Sequence, residues 1–552
     1  GGQGGTSSHW FWPATEIGAN GGTAKFVVSD SVGLTHASVN NPATNYRPTT
    51  GLGLWLGGVR VSANAAVNNV EDDTIDLLEL NKDGYADIAC LTNDNVKTVR
   101  VLFNGGKLRM HYAGTRGSIA NYCPAGKVIE YKSVGGNDIY LYKCYYGPKL
   151  IYGGGKLKTS GDGDVVFYEE GYTEGKNKTG QPIYCDDNGR VEWGHKGDLR
   201  LEQGGFLQPR NDDVLPFGAG TGIIRLKATN EQVYPEIDMH GTSQRINGLV
   251  TTGAAFVSNR TTTASTLVLG DSDYAGGRLN ARIFGNVKVA VRGENANVTI
   301  DGTIAPELSI EEGSATVNGD TAIDTVTVAD GSLLVVDGAV LTCSVLKASA
   351  GSVQCRNGGR VVLDNCLMTG NAVSDTYGAG CYFENGSSGA MTNCTVALNV
   401  GGNGQIYFYT GYWSYSIVNT LAVAKPGDAG VMRTGYYVKD EFLSCFSFCG
   451  FSSVKDGYGT WASVPEEKGN VTATTNDLLN VATCDCHLAK KSPLASAGHF
   501  EPWMKTATDL DGNPRAKHVK RYRSTGEVKR AYVDLGCYET EWRGPGFLLM
   551  FR

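Results

Sequence analysis

The heptapeptide NCLMTGN at residues 365–371 returns as NCTVALN at residues 393–399, with both asparagines and the cysteine displaced by 28 residues. Weaker copies flank this pair, and aligning Thr342, Asn365, Asn393, Asn419 and Ser444 gives steps of 23, 28, 26 and 25 residues. Such a period is typical of stacked repeats, in which each coil buries its apolar face only against its neighbours. The sequence therefore predicts a solenoid.

Equivalent residues of stacked coils lie about 4.8 Å apart, so the side chains at one repeat position form a column. We predict a structural ladder with an amide column at Asn365, Asn393 and Asn419 and a thiol column at Cys343, Cys366, Cys394 and Cys445. Amides at this spacing can hydrogen-bond to one another and to the turn backbone. The thiols are expected to be buried, as free cysteines usually are, or else joined as disulfides between coils.

Composition favours an all-β chain. Among 552 residues there are 75 Gly, about twice the usual ~7%, and 16 Pro. Gly and Asn supply the positive φ of tight turns between short strands, and long apolar helical periodicity is nearly absent. The net charge of −7 argues against a nucleic-acid partner, and the basic cluster at 517–530 is interpreted as a solvated surface loop. The sequence contains no run of eighteen apolar residues, so it predicts no membrane-spanning helix.

The chain divides into four regions by pattern. Residues 1–50 are aromatic and punctuated by Pro, which indicates an extended N-terminal segment or cap. Residues 51–285 have short strands after Gly-rich turns at irregular spacing, as in a solenoid with insertions or in a sandwich. Residues 286–465 have the regular repeat, and residues 466–552 form a small C-terminal cap.

Two resemblances sharpen this interpretation. The coils from 286 to 450 resemble a right-handed parallel β-helix of the pectin-lyase-like type, and their Asn-Cys strands resemble the repeats of polymorphic surface proteins and autotransporter passengers. The tail has CHL at 486–488, SPL at 492–494, DLDGNPR at 509–515 and VDLGCYE at 533–539. This order is similar to the terminal segment of bacterial choice-of-anchor Q β-helix proteins, although Cys537 stands where that pattern usually has Ala. The resemblance implies an exported bacterial protein at the cell surface, and it does not imply an enzyme.

The last residues are unusually apolar. Phe547, Leu548, Leu549, Met550 and Phe551 follow one another. They are expected either to dock on their own last coil or to add a strand to a neighbouring molecule at an open end of the solenoid. The second alternative predicts a homo-oligomer or polymer held together by terminal segments.

One loop has the spacing of a calcium site. Oxygen ligands alternate through Glu79, Asn81, Asp83 and Asp87, and Tyr85 offers its backbone carbonyl. The loop resembles those of VCBS and FG-GAP repeats, but Glu79 replaces their Asp and only one copy occurs. The alternative is an Asx-rich β-turn between two strands.

No catalytic constellation is evident. Hydrolysis of glycosides needs two carboxylates at a fixed separation, and the close pairs Asp72/Asp73, Asp162/Asp164 and Asp186/Asp187 have the Gly and Asn neighbours of turn residues. His195 belongs to no catalytic motif, and fold alone does not imply activity.

We therefore expect a non-catalytic extracellular structural protein, a subunit of a surface filament, layer or adhesive appendage that self-associates through its ends. The alternative is a protein that binds or degrades cell-surface glycans in the side groove of the solenoid. That alternative needs convergent carboxylates or basic residues flanked by exposed aromatic rings.

Overall fold

The structure is a computed structural model of the 552-residue chain. It describes residues 14–29, 54–93, 96–110, 121–143, 150–151, 153–169, 183–184, 189–228, 234–271, 274–329, 332–349, 352–373, 380–384, 386–401, 404–409, 414–433, 442, 444–455, 461–462, 466–521 and 528–540. The chain folds as two compact units, unit 1 with residues 1–269 and 278–287 and unit 2 with residues 270–277 and 288–552.

Short strands make up most of the described chain. The strands up to residue 280 are β1 (Ala14–Ile17), β2 (Phe26–Val28), β3 (Leu54–Val61), β4 (Ile75–Asn81), β5 (Tyr85–Asn93), β6 (Thr98–Asn104), β7 (Lys107–Met110), β8 (Asn121–Tyr122), β9 (Val128–Ser133), β10 (Ile139–Lys143), β11 (Lys156–Gly161), β12 (Val165–Glu169), β13 (Ile183–Tyr184), β14 (Arg190–His195), β15 (Leu199–Glu202), β16 (Phe206–Gln208), β17 (Ile224–Lys227), β18 (Glu236–Asp238), β19 (Ser243–Ile246), β20 (Gly248–Thr252), β21 (Phe256–Ser258), β22 (Ser265–Leu269) and β23 (Gly276–Asn280).

The later strands are shorter towards the end of the chain. They are β24 (Val287–Ile300), β25 (Ile304–Val317), β26 (Thr321–Val328), β27 (Leu333–Asp337), β28 (Val340–Cys343), β29 (Val345–Ser349), β30 (Ser352–Arg356), β31 (Arg360–Asp364), β32 (Cys366–Thr369), β33 (Ala372–Val373), β34 (Cys381–Phe383), β35 (Ser388–Thr392), β36 (Thr395–Ala397), β37 (Val400–Gly401), β38 (Ile406–Phe408), β39 (Tyr415–Val418), β40 (Leu421–Val423), β41 (Val431–Arg433), β42 (Phe446–Ser447), β43 (Gly450–Phe451), β44 (Val454–Lys455), β45 (Trp461–Ala462), β46 (Val471–Thr472), β47 (Leu478–Asn480), β48 (Asp485–Leu488), β49 (Lys517–Arg521) and β50 (Val528–Tyr532).

Helix is scarce in the described chain. The 3-10 helices are η1 (Glu466–Lys468), η2 (Thr475–Asp477) and η3 (Pro502–Lys505). None of the helices among the described residues has the length and apolar character to cross a membrane. The prediction of an all-β chain is confirmed.

In unit 1 the strands pair in parallel with partners about one repeat away along the chain. One sheet has the order β14-β11-β9-β6-β4-β2, and another has the order β13-β16-β18-β21. A third run pairs β7, β10, β12, β15, β17 and β20 in succession. Side chains alternate between faces, so Val99, Val101 and Phe103 on β6 are buried without exposed surface.

In unit 2 three runs of parallel strands continue from repeat to repeat. They are β25-β27-β30-β34-β38-β41-β44, β26-β28-β31-β35-β39-β42 and β26-β29-β32-β36-β40-β43-β46. Parallel pairing cannot be closed by a tight hairpin, so each step to the next partner takes the whole repeat. Like side chains stack along the runs, for example Phe383 on Phe408 with ring centroids 5.1 Å apart.

Five successive copies of the repeat turn one corner with a positive φ. Asn365, Asn393 and Asn419 have φ of 51°, 55° and 51°, and Phe448 and Gly469 follow with 52° and 74°. Asn tolerates this left-handed region better than most non-Gly residues do. The recurrence of Asn at this position is therefore explained partly by backbone conformation.

The C-terminal segment, residues 473–540, lies along the side of the repeats. Its Leu478, Cys486, Leu494 and Leu535 pack in one apolar cluster with residues of β32, β36 and β40, namely Leu367, Ala397, Leu421 and Val423. The sequence predicted a cap, but the chain doubles back after β46 and covers an outer sheet face that is itself apolar. Burial of that face is the driving force for the arrangement.

Candidate functional site

The repeated asparagines lie at one corner of successive repeats, one residue before β32 and two residues before β36 and β40. Leu367 pairs with Thr395 and Thr395 with Leu421, which aligns Asn365, Asn393 and Asn419. The Asn419 Nδ2 donates to Asn393 Oδ1 at 3.0 Å, and the Asn393 Nδ2 donates to Asp364 Oδ1 at 3.3 Å. We call these three residues the asparagine ladder.

At both ends of the ladder, the strand register places a different residue at the ladder position from the one that the sequence alignment chose. Because Leu346 pairs with Cys366, Val345 and not Thr342 lies beside Asn365. Because Leu421 pairs with Gly450, Phe448 and not Ser444 follows Asn419. The alignment assumed nearly even steps, whereas the last step is 29 residues; the positive φ of Phe448 marks it as the true equivalent.

The thiol column shifts for the same reason. Cys366, Cys394 and Cys449 occupy the position after the ladder, with Thr420 between the last two. Two predicted members lie outside this column: Cys445 precedes the equivalent Cys449, and Cys343 pairs with Leu363 while Leu346 takes the place beside Cys366. Burial raises the pKa of Cys366, and the adjacent Cys343 and Cys394 thiols raise it further. Burial also raises the pKa of Cys445 and of Cys449 to about 12.

All cysteines with described side chains are free thiols. Thiolates are the reactive form, so the raised pKa values of Cys366, Cys445 and Cys449 keep these three side chains as unreactive thiols at neutral pH.

A buried arginine from the C-terminal segment binds the ladder. Arg515 Nε donates to Asn365 Oδ1 at 2.8 Å, and its other nitrogens reach the Asn393 carbonyl at 3.3 Å and the Gly536 carbonyl at 2.8 Å. Its carboxylate partner is Glu539 at 2.9 Å, and both side chains are 0% exposed. A buried arginine must have its donors satisfied, and here two repeats and the tail share that task.

Further contacts extend this clamp along the ladder. Asn365 Nδ2 donates to the Thr508 carbonyl at 2.7 Å, and Asn419 exchanges hydrogen bonds with the His499 backbone at 2.6 and 2.7 Å. The Cys537 N–H donates to Thr395 Oγ1 at 3.0 Å. We call these contacts, together with Arg515, the C-terminal clamp.

Carboxyl groups within the clamp favour their protonated forms. Burial raises the pKa of Asp364 to about 6. Burial and the neighbouring Asp534 raise the pKa of Glu539 to about 8, against the opposing effect of Arg515 and of Lys517, whose Nζ lies 3.3 Å from Glu539 Oε2. Both groups therefore bind a proton more tightly in the folded chain than in the unfolded one.

A histidine sits between two carboxylates on the outer side of the clamp. His487 Nδ1 lies 2.5 Å from Asp485 Oδ1, its Nε2 lies 2.7 Å from Asp511 Oδ2, and its ring stacks on Tyr538 at 3.9 Å. Partial burial opposes its charge, but the two carboxylates outweigh that effect and raise its pKa. Protonated His487 thus links β48 to the 509–515 loop.

The second asparagine of each heptapeptide copy belongs to another amide network. Asn399 Oδ1 accepts from the N–H and the Nδ2 of Asn371 at 2.9 and 2.8 Å, and Gln405 Oε1 accepts from the N–H and Nδ2 of Asn399 at 2.9 Å each. All three residues are buried. Both asparagines of the heptapeptide therefore hold neighbouring repeats together.

The predicted calcium loop lies in unit 1 between β4 and β5. Glu79 forms an ion pair with Lys25 at 2.6 Å. Asn81 donates to Ser29 Oγ at 2.9 Å and accepts from Asn104 at 2.9 Å, and Asn104 accepts from Asn137 at 3.2 Å. Asn81 is thus the first rung of another amide ladder.

The remaining predicted ligands follow Asn81 along the chain. Asp83 is exposed at the turn with a φ of 61°, while Tyr85 and Asp87 belong to β5. Nowhere in the described chain do three His, Cys, Asp or Glu side chains converge to hold a metal ion. Calcium binding by this loop stays a prediction.

The carboxylate pairs of the sequence are engaged in ion pairs. Asp72 lies 2.7 Å from Arg100, Asp73 lies 2.9 Å from Lys97, and Asp162 lies 2.8 Å from Lys196. Residues 186 and 187 fall outside the described chain. His195 is buried against Thr159 Oγ1 at 2.9 Å, and burial lowers its pKa to about 4, so it is neutral.

Sequence inspection missed a polar cluster on β16, β18 and β21. Glu236 and Asp238 are 0% exposed. Glu236 is bound by Arg260 at 2.9 Å and Ser258, and Asp238 accepts from Gln208 at 2.5 Å and from the His240 N–H at 3.1 Å. Both carboxylates are thus held by partners within the fold. The available signal in the sequence was the alternate spacing of these two carboxylates in EID at 236–238, and of polar residues in the neighbouring strands.

A second missed cluster is half-exposed on the run β10-β12-β15. Arg200 lies 3.2 Å from both Asp138 and Asp164 and also pairs with Glu202. Asp164 Oδ1 accepts from the Asp198 N–H at 2.7 Å, and Asp198 Oδ1 accepts from the Ile223 N–H at 2.8 Å. The recurring Gly-Asp before a strand, at 163–164 and 197–198, was the signal.

Residues 547–551 of the predicted terminal strand lie outside the described chain. Comparisons with protein-family models, with curated proteins and with solved structures find no match to this chain.

Proposed function

We propose that the chain is a non-catalytic extracellular structural protein, a right-handed parallel β-helix that serves as a subunit of a bacterial surface filament, layer or appendage. Parallel partners one repeat apart, in three runs through unit 2, support the helix. A helix of this kind grows by adding coils and suits a spacer or scaffold.

The observation that carries the proposal is the clamped asparagine ladder. Arg515, Glu539 and the ladder amides are buried, and their hydrogen bonds connect neighbouring repeats and the tail to one another. The cysteines with described side chains are free thiols, and the buried carboxylates at Glu236 and Asp238 have internal partners. The buried polar groups of the ladder and the clamp thus serve cohesion between the coils and the tail.

Assembly of the purified chain tests the proposal. We expect ordered polymers by negative-stain electron microscopy and a mass that rises with concentration in sedimentation velocity. A chain ending after Thr540, which lacks residues 547–551, is expected to assemble less. Monomers at every concentration, combined with release of unsaturated sugars from an acidic polysaccharide, would refute the structural role.

Glycan binding is the second candidate, and the Arg200 cluster, whose three carboxylates outnumber its one guanidinium, favours an uncharged sugar. The Tyr140 and Tyr168 rings lie 6.3 Å apart on strands of the same run, and Lys107 lies over the Tyr140 ring at 4.9 Å. Partly exposed rings next to charged groups are suited to stacking on sugars. Binding to an array of neutral oligosaccharides that is lost in Arg200→Met and kept in Arg190→Met, an exposed residue of β14, would support this candidate.

A further inference from the structure

The amine of Lys517, the first residue of β49, lies between two carboxyl groups of the C-terminal clamp. Its Nζ is 3.3 Å from Asp534 Oδ2 and 3.3 Å from Glu539 Oε2. The Lys517 side chain is 19% exposed, whereas those of Asp534 and Glu539 are 1% and 0% exposed. One amine and two carboxyl groups are thus held together with little access to water.

The distances around Lys517 are longer than those of a tight ion pair. Hydrogen bonds between an ammonium and a carboxylate are typically about 2.7–2.9 Å long. Exposed pairs of this chain reach that length, since Lys97 lies 2.9 Å from Asp73 and Lys196 lies 2.8 Å from Asp162. The Lys517 amine instead lies against the Asp534 carboxyl group at about the separation, ~3–3.5 Å, at which reacting groups are held before attack.

Hydrogen bonds fix the Asp534 carboxyl group in front of this amine. Its Oδ1 accepts from the Ser496 N–H at 2.7 Å, and its Oδ2 accepts from the Thr540 N–H at 2.6 Å and from Thr540 Oγ1 at 2.8 Å. Oδ2 is therefore held on the side of Lys517. The Ser496 N–H is placed to stabilise negative charge that develops on Oδ1 during attack at the carboxyl carbon.

Glu539 is a group that can carry protons between the amine and Asp534. Its Oε1 accepts from Arg515 at 2.9 Å, and the Asp534 N–H donates to both of its oxygens at 3.2 Å. Burial and the neighbouring Asp534 raise the pKa of Glu539 to about 8, so its carboxyl group exchanges a proton near neutral pH. A positioned carboxyl group with such a pKa is suited to general acid–base catalysis.

We propose that Lys517 and Asp534 condense to an intramolecular isopeptide bond, with Glu539 as the proton carrier. The inference goes beyond the proposed structural role and does not depend on self-association. The reaction occurs once per chain and needs no cofactor, because an ammonium and a carboxylate give an amide and water. The bond closes the hairpin of β49 and β50 into a covalent loop, which constrains the unfolded chain and so stabilises the tail.

The proton transfers balance as follows. Glu539 gives its proton to Asp534 Oδ2 and receives one from the ammonium, which leaves a free amine facing a neutral carboxyl group. The bond from Lys517 Nζ to the carboxyl carbon forms while the double bond to Oδ1 opens to an oxyanion. Glu539 then protonates the Oδ2 hydroxyl group, the bond from the carbon to Oδ2 breaks, and water leaves. The nitrogen returns its surplus proton to Glu539, which ends as it began.

Mass spectrometry of the purified and denatured chain tests the bond. We expect an intact mass that is lower than the sequence mass by one water. A tryptic digest should contain a branched peptide that joins residue 517 to residue 534. Lys517→Arg keeps a positive charge but supplies no amine, so this variant should have the full mass and separate peptides.

The role of Glu539 has its own variant. Glu539→Gln keeps an oxygen for Arg515 but cannot carry a proton, so the crosslinked fraction should fall at least about tenfold. Far-UV circular dichroism identical to that of the wild type shows that the variant is folded. A crosslinked fraction equal to that of the wild type would contradict the proton-carrier role.

Two ion pairs in the same digest are internal controls. The pairs Lys97/Asp73 and Lys196/Asp162 are closer than Lys517 and Asp534, but all four side chains are more than half exposed. Both pairs should remain unlinked. Crosslinks there would show that proximity alone suffices and would contradict the part given to the buried site.

A wild-type chain with the full sequence mass would overturn the inference and leave the structural role standing, because assembly needs no crosslink. A water lost elsewhere, for example as a succinimide at Asp511-Gly512, would also overturn it, since the peptides with residues 517 and 534 then stay separate. A crosslinked chain that never assembles would instead remove the proposed self-association and keep the bond.

Discussion

The two units differ in the ladders that connect their repeats: unit 1 has a ladder of alternating charge beside the amides of Asn81, Asn104 and Asn137, whereas unit 2 has the asparagine ladder. In unit 1, the register of β4, β6, β9, β11 and β14 stacks residues of alternating charge, in the order Asp76, Arg100, Glu130, Lys158 and Glu192. In unit 2 the equivalent role belongs to a repeated amide, as in the asparagine ladder. An amide both donates and accepts, so one residue type can recur in every coil. Like charges on neighbouring coils lie about 4.8 Å apart and repel each other, so a column of charged residues must alternate in sign.

This difference determines whether the repeat can be recognised in the sequence. An amide ladder repeats one residue type and is recognised easily, whereas in a charge ladder the residue type changes at each step, so the repeat is not apparent. The predictions below separate the two kinds of ladder by stability.

The largest effect is expected at Arg515. Arg515→Met removes the buried cation beside Glu539, which keeps only Lys517, and the donor to Asn365 Oδ1. This should reduce the free energy of unfolding by about 3–5 kcal/mol. Chemical denaturation measures the loss, and hydrogen exchange should locate it in residues 473–540. Arg360→Met, an exposed arginine of β31, is the control and should cost under about 0.5 kcal/mol.

Substitution of Arg100, within the charge ladder of unit 1, should destabilise the fold. Arg100 is 7% exposed and lies 2.8 Å from Glu130 and 3.3 Å from Asp76. Arg100→Met should cost about 2–4 kcal/mol, because Glu130 then remains nearly buried and unpaired. Lys156→Met breaks the exposed pair with Glu192 and should cost less than about 1 kcal/mol. Equal losses in the two variants would contradict the ladder.

A single rung of the amide ladder should matter somewhat less. Asn393→Ala removes the acceptor of Asn419 and the donor to Asp364 and puts Ala at a φ of 55°, for an expected cost of about 2–3 kcal/mol. Asn393→Gly keeps the backbone conformation and should cost about 1 kcal/mol less. At the exposed Asn357, with a φ of 50°, Ala should cost only about 1 kcal/mol.

The smallest effect is a difference in pH dependence. The pKa of His487 is raised, so its contribution is complete below pH 6.5 and is lost as pH rises through the folded pKa. Glu130 behaves oppositely: burial raises its pKa, but hydrogen bonds from Ser160 and Arg100 outweigh this and lower it. Its contribution is present above pH 4.5 and is lost as pH falls.

Hydrogen exchange, corrected for the intrinsic rate, can follow both regions in one experiment. Between pH 6 and 8, the peptides at 485–488 and 509–515 should loosen while those of β6 and β9 do not. The change should stay below about 1 kcal/mol, since His487 is 35% exposed and solvent screens its pairs. His487→Gln should abolish the change at 485–488, whereas the change at 509–515 also includes Glu539, whose pKa raised to about 8 acts in the same direction. An unchanged pH response at 485–488 in that variant would assign the effect to other groups.

The sequence predicted the all-β class, the repeat of unit 2 and the rungs Asn365, Asn393 and Asn419. It misplaced Thr342, Ser444 and Cys445, because loops of unequal length shift the register and only the backbone conformation at Phe448 reveals the true position. The role of Arg515 could not be predicted from the sequence, since it depends on a fold-back that brings together residues 150 positions apart. The charge ladder around Arg100 was missed because its members share no residue type.

The central claim is that the tail locks onto the asparagine ladder in this register. A double-mutant cycle between Arg515 and Asn365, using Arg515→Met, Asn365→Ala and the combined variant, tests it most directly. Residues in direct buried contact should show a coupling energy of about 1–3 kcal/mol, and the same cycle between Arg515 and Ser444 should give none. Additive losses for Arg515 and Asn365 would contradict the clamp.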